Sequence, residues 1–444
     1  MKTASKAMGG RKAVRNFLLG SALLAGLAGT MPAAMANDPI KVGILHSLSG
    51  TMAISETSLR DVALMTIEHI NEQGGLLGRQ LEPVVMDPGS DWPTYTEQAR
   101  EMLEREGVDV IFGCWTSVSR EAVLPVLEEL NGLMFYPVQY EGEEASRNVF
   151  YTGAAPNQQT IPAVEYLMSD EGGGAEQFYL IGTDYEFPRT TNRIVRAFLN
   201  AQGIEDDAIR EQYTPFGHSD FQTIVSDIRN FSQRGPTAVI NTVNGDANVA
   251  FYRELSSQGI DPLDVPVMAT SVGEEELRGM DTGPLTGHLA AWNYFMSIDT
   301  PQNERFVERW MNYVDARGLP GGSNRVTNDP MEATYMGMQI WAQAVLQAGT
   351  TDVDAVRQAV YGQCVDSPSG FQVCMDDENH HLHKPVLIGE IQPDGQFEVV
   401  WQTDDVVRAE PWSRYLEANQ DRVANWRYPY ICGDCEEPRY QLDF

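Results

Sequence analysis

Residues 108–120 read Val108-Asp109-Val110-Ile111-Phe112-Gly113-Cys114-Trp115-Thr116-Ser117-Val118-Ser119-Arg120, and residues 133–140 read Leu133-Met134-Phe135-Tyr136-Pro137-Val138-Gln139-Tyr140. Each opens on a short apolar run, the pattern of a strand buried on both faces. Each ends in small polar and aromatic groups, and the first feeds a helical pattern. In an open α/β sheet, ligands sit beyond the carboxyl ends of strands, where helix N-termini offer unpaired backbone N–H groups. The Thr116 and Ser117 hydroxyls beside the rings of Trp115 and Tyr136 suit a small, uncharged, planar polar molecule.

The same alternation extends to both sides. Strands are expected at Ile40 to His46, Gln80 to Asp87, Val108 to Phe112 and Leu133 to Tyr136, with helices at Ser58 to Asn71, Thr94 to Glu106 and Ser119 to Leu130. Repeated βα units of this length imply a parallel sheet covered on both faces. A second run follows Tyr151-Thr152. It alternates helix Pro162 to Met168, strand Gln177 to Gly182, helix Arg189 to Ala201, strand Ala238 to Thr242, helix Ala247 to Ser257 and strand Val267 to Thr270. A long helix, Met331 to Ala348, and strands Pro385 to Ile391 and Phe397 to Trp401 come later and can return to either unit. At 444 residues the chain is long for one core and fits two α/β domains.

The first 36 residues have the form of a secretory signal: Lys2, Lys6, Arg11, Lys12 and Arg15, then an apolar stretch from Phe17 to Leu27, then Ala34-Met35-Ala36 as a cleavage site. The expected location is therefore periplasmic, with no direct membrane insertion, since no later segment is apolar for long enough to span a bilayer. The formal net charge is −32, and the leader holds five basic residues and no acid, so the exported part is more acidic still. Nucleic acid and anionic membranes are poor partners for such a surface. Of the five cysteines, Cys364 and Cys374 flank a turn-rich stretch, and Cys432 and Cys435 form Cys-Gly-Asp-Cys. In an exported protein both pairs read as disulfides before metal. Cys114 is left over as a small buried group after its strand.

Enzyme signatures are missing: there is no Gly-x-Ser-x-Gly, His-Glu-x-x-His, phosphate-binding loop or dinucleotide fingerprint. No cofactor and no catalytic residue is expected, although Ser117 with a base or metal brought near it by the fold would describe an exported amidase. His380, His381 and His383, with Asp376, Asp377 and Glu378, read as a polar surface turn more readily than as a zinc or copper site. Two further strand exits resemble the first pair in kind: Thr183-Asp184-Tyr185-Glu186 and Asn241-Thr242-Val243-Asn244-Gly245-Asp246. Strand exits from two lobes that face each other make a cleft.

Gly113-Cys114-Trp115-Thr116-Ser117-x-Ser119-Arg120, Phe135-Tyr136-Pro137-Val138-Gln139-Tyr140-Glu141-Gly142 and Tyr151-Thr152-Gly153-Ala154-Ala155-Pro156-Asn157-Gln158-Gln159 resemble the type I periplasmic solute-binding family, in its urea and short-chain amide branch. Asp184-Tyr185-x-Phe187-Pro188-Arg189, Asn241 to Asp246 and Ala290-Ala291-Trp292-Asn293-Tyr294-Phe295 carry the same resemblance, which runs from about Ile40 to Trp401. It implies an α/β fold of two lobes, each a mostly parallel sheet flanked by helices, with three crossovers at the hinge. The expected boundaries are residues 37–152 plus 290–363 for the first lobe and 153–289 plus 364–408 for the second. Residues 409–444 are expected to form an extension that wraps the surface.

The resemblance further implies a receptor that captures urea between the lobes and delivers it to the membrane permease of an ABC importer. The alternative on the same fold is a receptor for short amides or branched-chain amino acids, whose ammonium would need Asp246 or Glu274. The expected ligand-binding residues are Trp115, Thr116, Ser117, Tyr136, Val138, Gln139, Tyr185, Asn244 and Asp246. The carbonyl of urea would take donors around Ser117. Its amide hydrogens would go to acceptors among Tyr136, Tyr185, Gln139 and Asp246, with Trp115 over the plane.

Overall fold

The computed structural model describes residues 38–419. The expected signal peptide and the Cys432/Cys435 pair lie outside the described residues. The first lobe opens with β1 (Ile40–Leu45), β2 (Leu81–Met86), β3 (Val110–Gly113), β4 (Met134–Tyr136) and β5 (Val149–Tyr151). They form a sheet in the order β2-β1-β3-β4-β5, parallel throughout. Parallel strands must be joined by crossovers over the sheet faces. Helices α1 (Ala53–Glu72), α2 (Trp92–Glu101) and α3 (Ser117–Leu130) make these crossovers from β1 to β4, and residues 137–148 join β4 to β5 without a helix. The stop of α1 is written in Gln73-Gly74-Gly75, where both glycines take positive φ.

The second lobe contains β6 (Gln177–Thr183), β7 (Ile209–Thr214), β8 (Thr237–Thr242), β9 (Val267–Ala269) and β10 (Leu289–Trp292). Its helices are α4 (Thr160–Met168), α5 (Glu186–Ala201), α6 (Gln222–Ser232), α7 (Ala247–Ser257) and the single turn α8 (Glu274–Leu277). Next come α9 (Pro301–Arg317), α10 (Asp329–Ala348), α11 (Val353–Val360) and the hairpin of β11 (Cys364–Asp366) and β12 (Gln372–Cys374). The last strands, β13 (Leu387–Ile391) and β14 (Phe397–Gln402), complete a sheet ordered β14-β13-β10-β9-β8-β6-β7. Only β13 runs against the other strands, pairing antiparallel with both β10 and β14.

Each sheet buries both faces, and each face has its own apolar core. Ile40, Val42 and Ile44 of β1 meet Ile67 of α1 and Met336, Ile340 and Trp341 of α10 on one side. Leu45 and Ile111 meet Tyr95, Val123 and Leu127 on the other. In the second lobe, Tyr179 and Val239 pack with α6 and α7, while Phe178 and Ile240 pack with α4 and α5. The alternation of sides along each strand follows the pleat.

Two lobe boundaries differ from the sequence expectation. β10 pairs with β9 and β13, so Ala290–Trp292 belong to the second lobe's sheet and not to the first lobe. The hairpin β11–β12, which the expected boundaries put in the second lobe, sinks Val365 and Val373 into the first lobe's core beside Trp341 and Val356, with Met375 and Leu382 following. The third crossover therefore lies near Lys384 instead of Gln363. Burial of that apolar edge decides the matter, and no local pattern announces which sheet it will meet. Cys364 and Cys374 are disulfide-bonded across the hairpin. Residues 409–419 lie against both lobes: Ser413 N–H donates to Glu143 Oε1 at 2.8 Å, and the Tyr415 ring sits 5.1 Å from Phe198.

Candidate functional site

The exits of β3 and β4 come together because the strands are neighbours, and the turn after β3 is sharp. Cys114 takes φ 66°, a left-handed conformation rare outside glycine, while its N–H donates to Leu45 O at 2.9 Å. That turn aims Trp115 and the start of α3 at the other lobe. Cys114 itself is buried, and burial pushes its thiol far above the usual range. Thr116 caps α3: its Oγ1 accepts from Ser119 N–H at 3.2 Å, and its hydroxyl donates to Ser119 Oγ at 3.0 Å. The Thr116 side chain is thus spent on the helix.

Trp115 is 2% exposed, and its Nε1–H donates to Asn244 Oδ1 at 3.4 Å across the cleft. Asn244 is held in turn by Thr183 Oγ1, which accepts its N–H at 2.9 Å. Gln139 makes a second link between lobes, donating from Nε2 to Ser271 Oγ at 2.7 Å. A third joins Ser55 of α1 to Glu276 of α8, Oγ–H to Oε1, at 2.6 Å. The structure thus has the lobes in contact around these residues. Tyr136 donates its hydroxyl to Trp115 O. Val138 is buried, with its backbone so close to Gly153 that a Cβ there would meet Val138 C at 2.1 Å. Tyr185 is buried against Phe216, ring centroids 4.8 Å apart. Its phenol is pushed well up by burial, with Tyr136 and Glu141 adding to the effect across the cleft.

Eight of the nine expected residues are therefore buried at the facing strand exits, with Thr116 acting as a cap. Asp246 is the exception. It is exposed at the start of α7 and makes no link in the buried cluster, because Gly245 at φ 71° turns the chain outward before it. The other group considered for an ammonium, Glu274, is buried and accepts Met296 N–H at 2.7 Å. Burial pushes it up to about 8, with Glu276 and Asp329 adding to the effect and backbone hydrogen bonds opposing it.

Sequence reasoning missed the charges beneath the cleft. Arg120, fully buried, donates from Nε to Glu144 Oε1 at 2.9 Å, from Nη2 to Glu144 Oε2 at 3.2 Å and Glu141 Oε1 at 3.1 Å, and from Nη1 to Ser117 Oγ at 3.3 Å. Ser117 then donates its proton to Glu141 Oε2 at 2.5 Å. The guanidinium carbon lies 4.8 Å from the ring centroids of both Tyr136 and Tyr140. Burial pushes the Glu141 carboxyl up, and Arg120 and Ser117 oppose the shift. Arg120 and Glu141 stand inside the motifs that carry the family resemblance, but a pairing 21 residues apart has no local signature.

The histidine cluster is not a surface turn. His380 and His381 are fully buried, stacked on Phe150 and Tyr151 with centroids 4.0 and 4.4 Å apart. The segment is drawn in because His380 N–H-type contacts and backbone pairing tie it to β5: Tyr151 N–H donates to His380 O at 2.8 Å, and the His380 Nδ1 meets Val149 O at 2.9 Å. Among the described residues, no group of three or more His, Cys, Asp or Glu is placed to hold a metal ion. No helix among them is long and apolar enough to cross a membrane.

Two α/β lobes joined by three crossovers, with buried polar and aromatic strand exits facing each other, define the two-lobed periplasmic binding fold. Residues 40–418 match the family described as periplasmic binding protein domain, and the chain belongs to that family. Over 361 residues it is 24% identical to Leu/Ile/Val-binding protein homolog 6 of Brucella melitensis, covering 80% of this chain and 88% of that one. A shorter stretch of 145 residues is 30% identical to a limonene hydroxylase of Geobacillus stearothermophilus, covering 32% of this chain; the chain spans only 25% of that protein's length. Among solved structures, a solute-binding protein of an ABC transporter from Rhodopseudomonas palustris HaA2, in complex with p-hydroxybenzoic acid, superposes with a TM-score of 0.69. It is 20% identical, and the match covers 84% of this chain and 98% of that one.

Proposed function

We propose that this periplasmic binding protein is the receptor of an ABC importer and that the ligand it closes on is urea or a comparably small amide. The observation that carries the reading is Gln139. Its Oε1 is buried without a hydrogen-bond partner while its Nε2 bridges to the other lobe. A buried acceptor left unpaired costs about 1–3 kcal/mol, and an amide N–H would relieve that cost. Trp115, Tyr136 and Tyr185 supply flat walls at the same strand exits. Closing the lobes around the ligand would exclude water and present a permease with a distinct liganded shape.

The relatives' names favour a second reading, an amino acid or aromatic acid as ligand. A site built to pair a particular donor rejects analogues that lack it, so the two readings separate on direct binding. Calorimetric titration with urea, acetamide, leucine and p-hydroxybenzoate tests them. Urea has four heavy atoms, so at a ceiling of about 1.5 kcal/mol per atom its binding reaches about 6 kcal/mol, a Kd of tens of micromolar. Saturable urea heat that Trp115→Ala abolishes supports the reading. Heat with leucine or p-hydroxybenzoate and none with urea moves the ligand to the acid class.

A further inference from the structure

The charges under Ser117 say more about the ligand than the walls do. Arg120 is the one cation in the network and faces two carboxylates, Glu141 and Glu144. Carboxylates therefore outnumber the cation two to one in this buried network. Arg120 directs its guanidinium hydrogens into Glu141, Glu144 and Ser117, which leaves little of it for an incoming anion. Ser117 directs its hydroxyl hydrogen to Glu141 Oε2, so toward the cleft its oxygen can only accept. The unpartnered atom of Gln139 is likewise an acceptor. This removes the Ser117 hydroxyl from the donors expected around it for a ligand carbonyl, and leaves the backbone N–H groups there.

Two more carboxylates extend the same character. Glu121 is four residues beyond Ser117 and so shares its face of α3, and α3 packs against α5 of the other lobe. Glu186, the first residue of α5, has a buried Oε2 without a partner. Burial pushes Glu121 up to about 9, with Glu144 and Glu141 adding to the effect, Arg120 opposing it and Glu186 contributing last. A cation among these crowded carboxylates would offset their mutual repulsion.

We infer that the Arg120–Glu141–Glu144 network makes the cleft a site for small planar N–H donors, neutral or cationic, so that guanidinium binds where urea does and carboxylate ligands are excluded. The inference rests on the ligand cleft lying at Ser117 and Gln139, as proposed above. Guanidinium has the shape of urea, with a third NH2 group in place of the carbonyl oxygen. It offers hydrogens on all sides to a wall of acceptors, and its charge offsets the excess.

The test is competitive calorimetry on the protein without its leader, at fixed ionic strength. Guanidinium chloride is kept at millimolar levels, far below the molar range that unfolds proteins. Guanidinium heat that saturates and is displaced by urea, with none from leucine or p-hydroxybenzoate, is the expected result. In Glu141→Gln, confirmed folded by circular dichroism, the guanidinium-to-urea affinity ratio should fall by about tenfold or more. Urea binding with guanidinium silent would overturn the inference and leave the urea reading standing. Guanidinium binding with urea silent would overturn the urea reading and, with it, the shared site, leaving only the preference for a cation. Saturable binding of either acid would overturn the exclusion of carboxylates, and silence from all four ligands would overturn both readings.

Discussion

Replacing Arg120 by methionine tests the reading of the buried network most directly. The substitution keeps much of the side-chain length and removes the charge. The structure shows what it would strand: Glu144 loses two hydrogen bonds of 2.9 and 3.2 Å, Glu141 loses one of 3.1 Å, and Ser117 loses one of 3.3 Å, all in the buried interior. Glu144 keeps the Tyr151 hydroxyl and Glu141 keeps Ser117, so neither carboxylate is bare, but the only positive charge is gone. Breaking a buried ion pair from one side costs about 3–5 kcal/mol. At roughly 1–2 °C per kcal/mol for a chain of this size, the melting temperature should fall by about 3–10 °C. Melting should be followed by calorimetry or circular dichroism without urea or guanidinium, since both are proposed ligands.

The mechanism also fixes how pH acts on this variant. Unpaired buried carboxylates have folded-state pKa values above their unfolded ones, so they favour the folded state at low pH and penalise it as pH rises. The Arg120→Met deficit should therefore shrink between pH 8 and pH 5.5. Adding Glu141→Gln and Glu144→Gln should recover at least half of it, because the stranded charges leave together. A shift under about 2 °C, or a deficit independent of pH, would refute the argument.

Three further outcomes follow from other parts of the structure. Val267 N–H donates to His288 Nδ1 at 3.2 Å, and burial holds His288 at about 4. Its folded pKa lies below the unfolded value near 6.5, so its contribution of about 3 kcal/mol is present above that pH and lost as pH falls from 6.5 toward 4. His288→Gln should flatten stability against pH in that window, and parallel slopes for variant and wild type would count against it. The hairpin closed by Cys364 and Cys374 has a sequence separation of 10, for which loop-closure entropy gives about 3 kcal/mol. Serine at both positions should lower the melting temperature, and reduction of the wild type should reproduce that loss. Asn293 donates from Nδ2 to Gln158 O at 2.9 Å and Pro385 O at 2.6 Å, which lie on the other two crossovers. Asn293→Leu should cost about 2–4 kcal/mol and blunt ligand-induced compaction in small-angle scattering; a wild-type scattering change on adding ligand would argue that the crossovers are tied elsewhere.

Periodicity showed the α/β architecture, since apolar runs such as Ile40 to Leu45 alternating with helical patterns mark strands buried on both faces beneath helices. It also located the strand exits that hold Trp115, Ser117, Tyr136, Gln139, Tyr185 and Asn244, because a ligand site on such a sheet is set by where strands end. Helix α9 was legible too, in Thr300 followed by Pro301, where the Thr300 side chain accepts from Asn303 N–H, although the strand-and-helix reading passes over it. What depends on contacts between distant residues was not legible. The side on which Val365 and Val373 find apolar cover moved a lobe boundary by some twenty residues along the chain. Gly245 turned Asp246 out to solvent, and pairing with β5 drew His380 and His381 into the core. The character of the cleft was decided at this level as well. Ser117 is an acceptor toward the cleft because its hydroxyl hydrogen is directed to Glu141, and the charges beneath it come from residues 21 and 24 positions apart in the chain. Hydrophobic patterning is local and repeats along the sequence, whereas the direction of a hydrogen bond and the balance of a buried charge exist only once the chain has closed on itself.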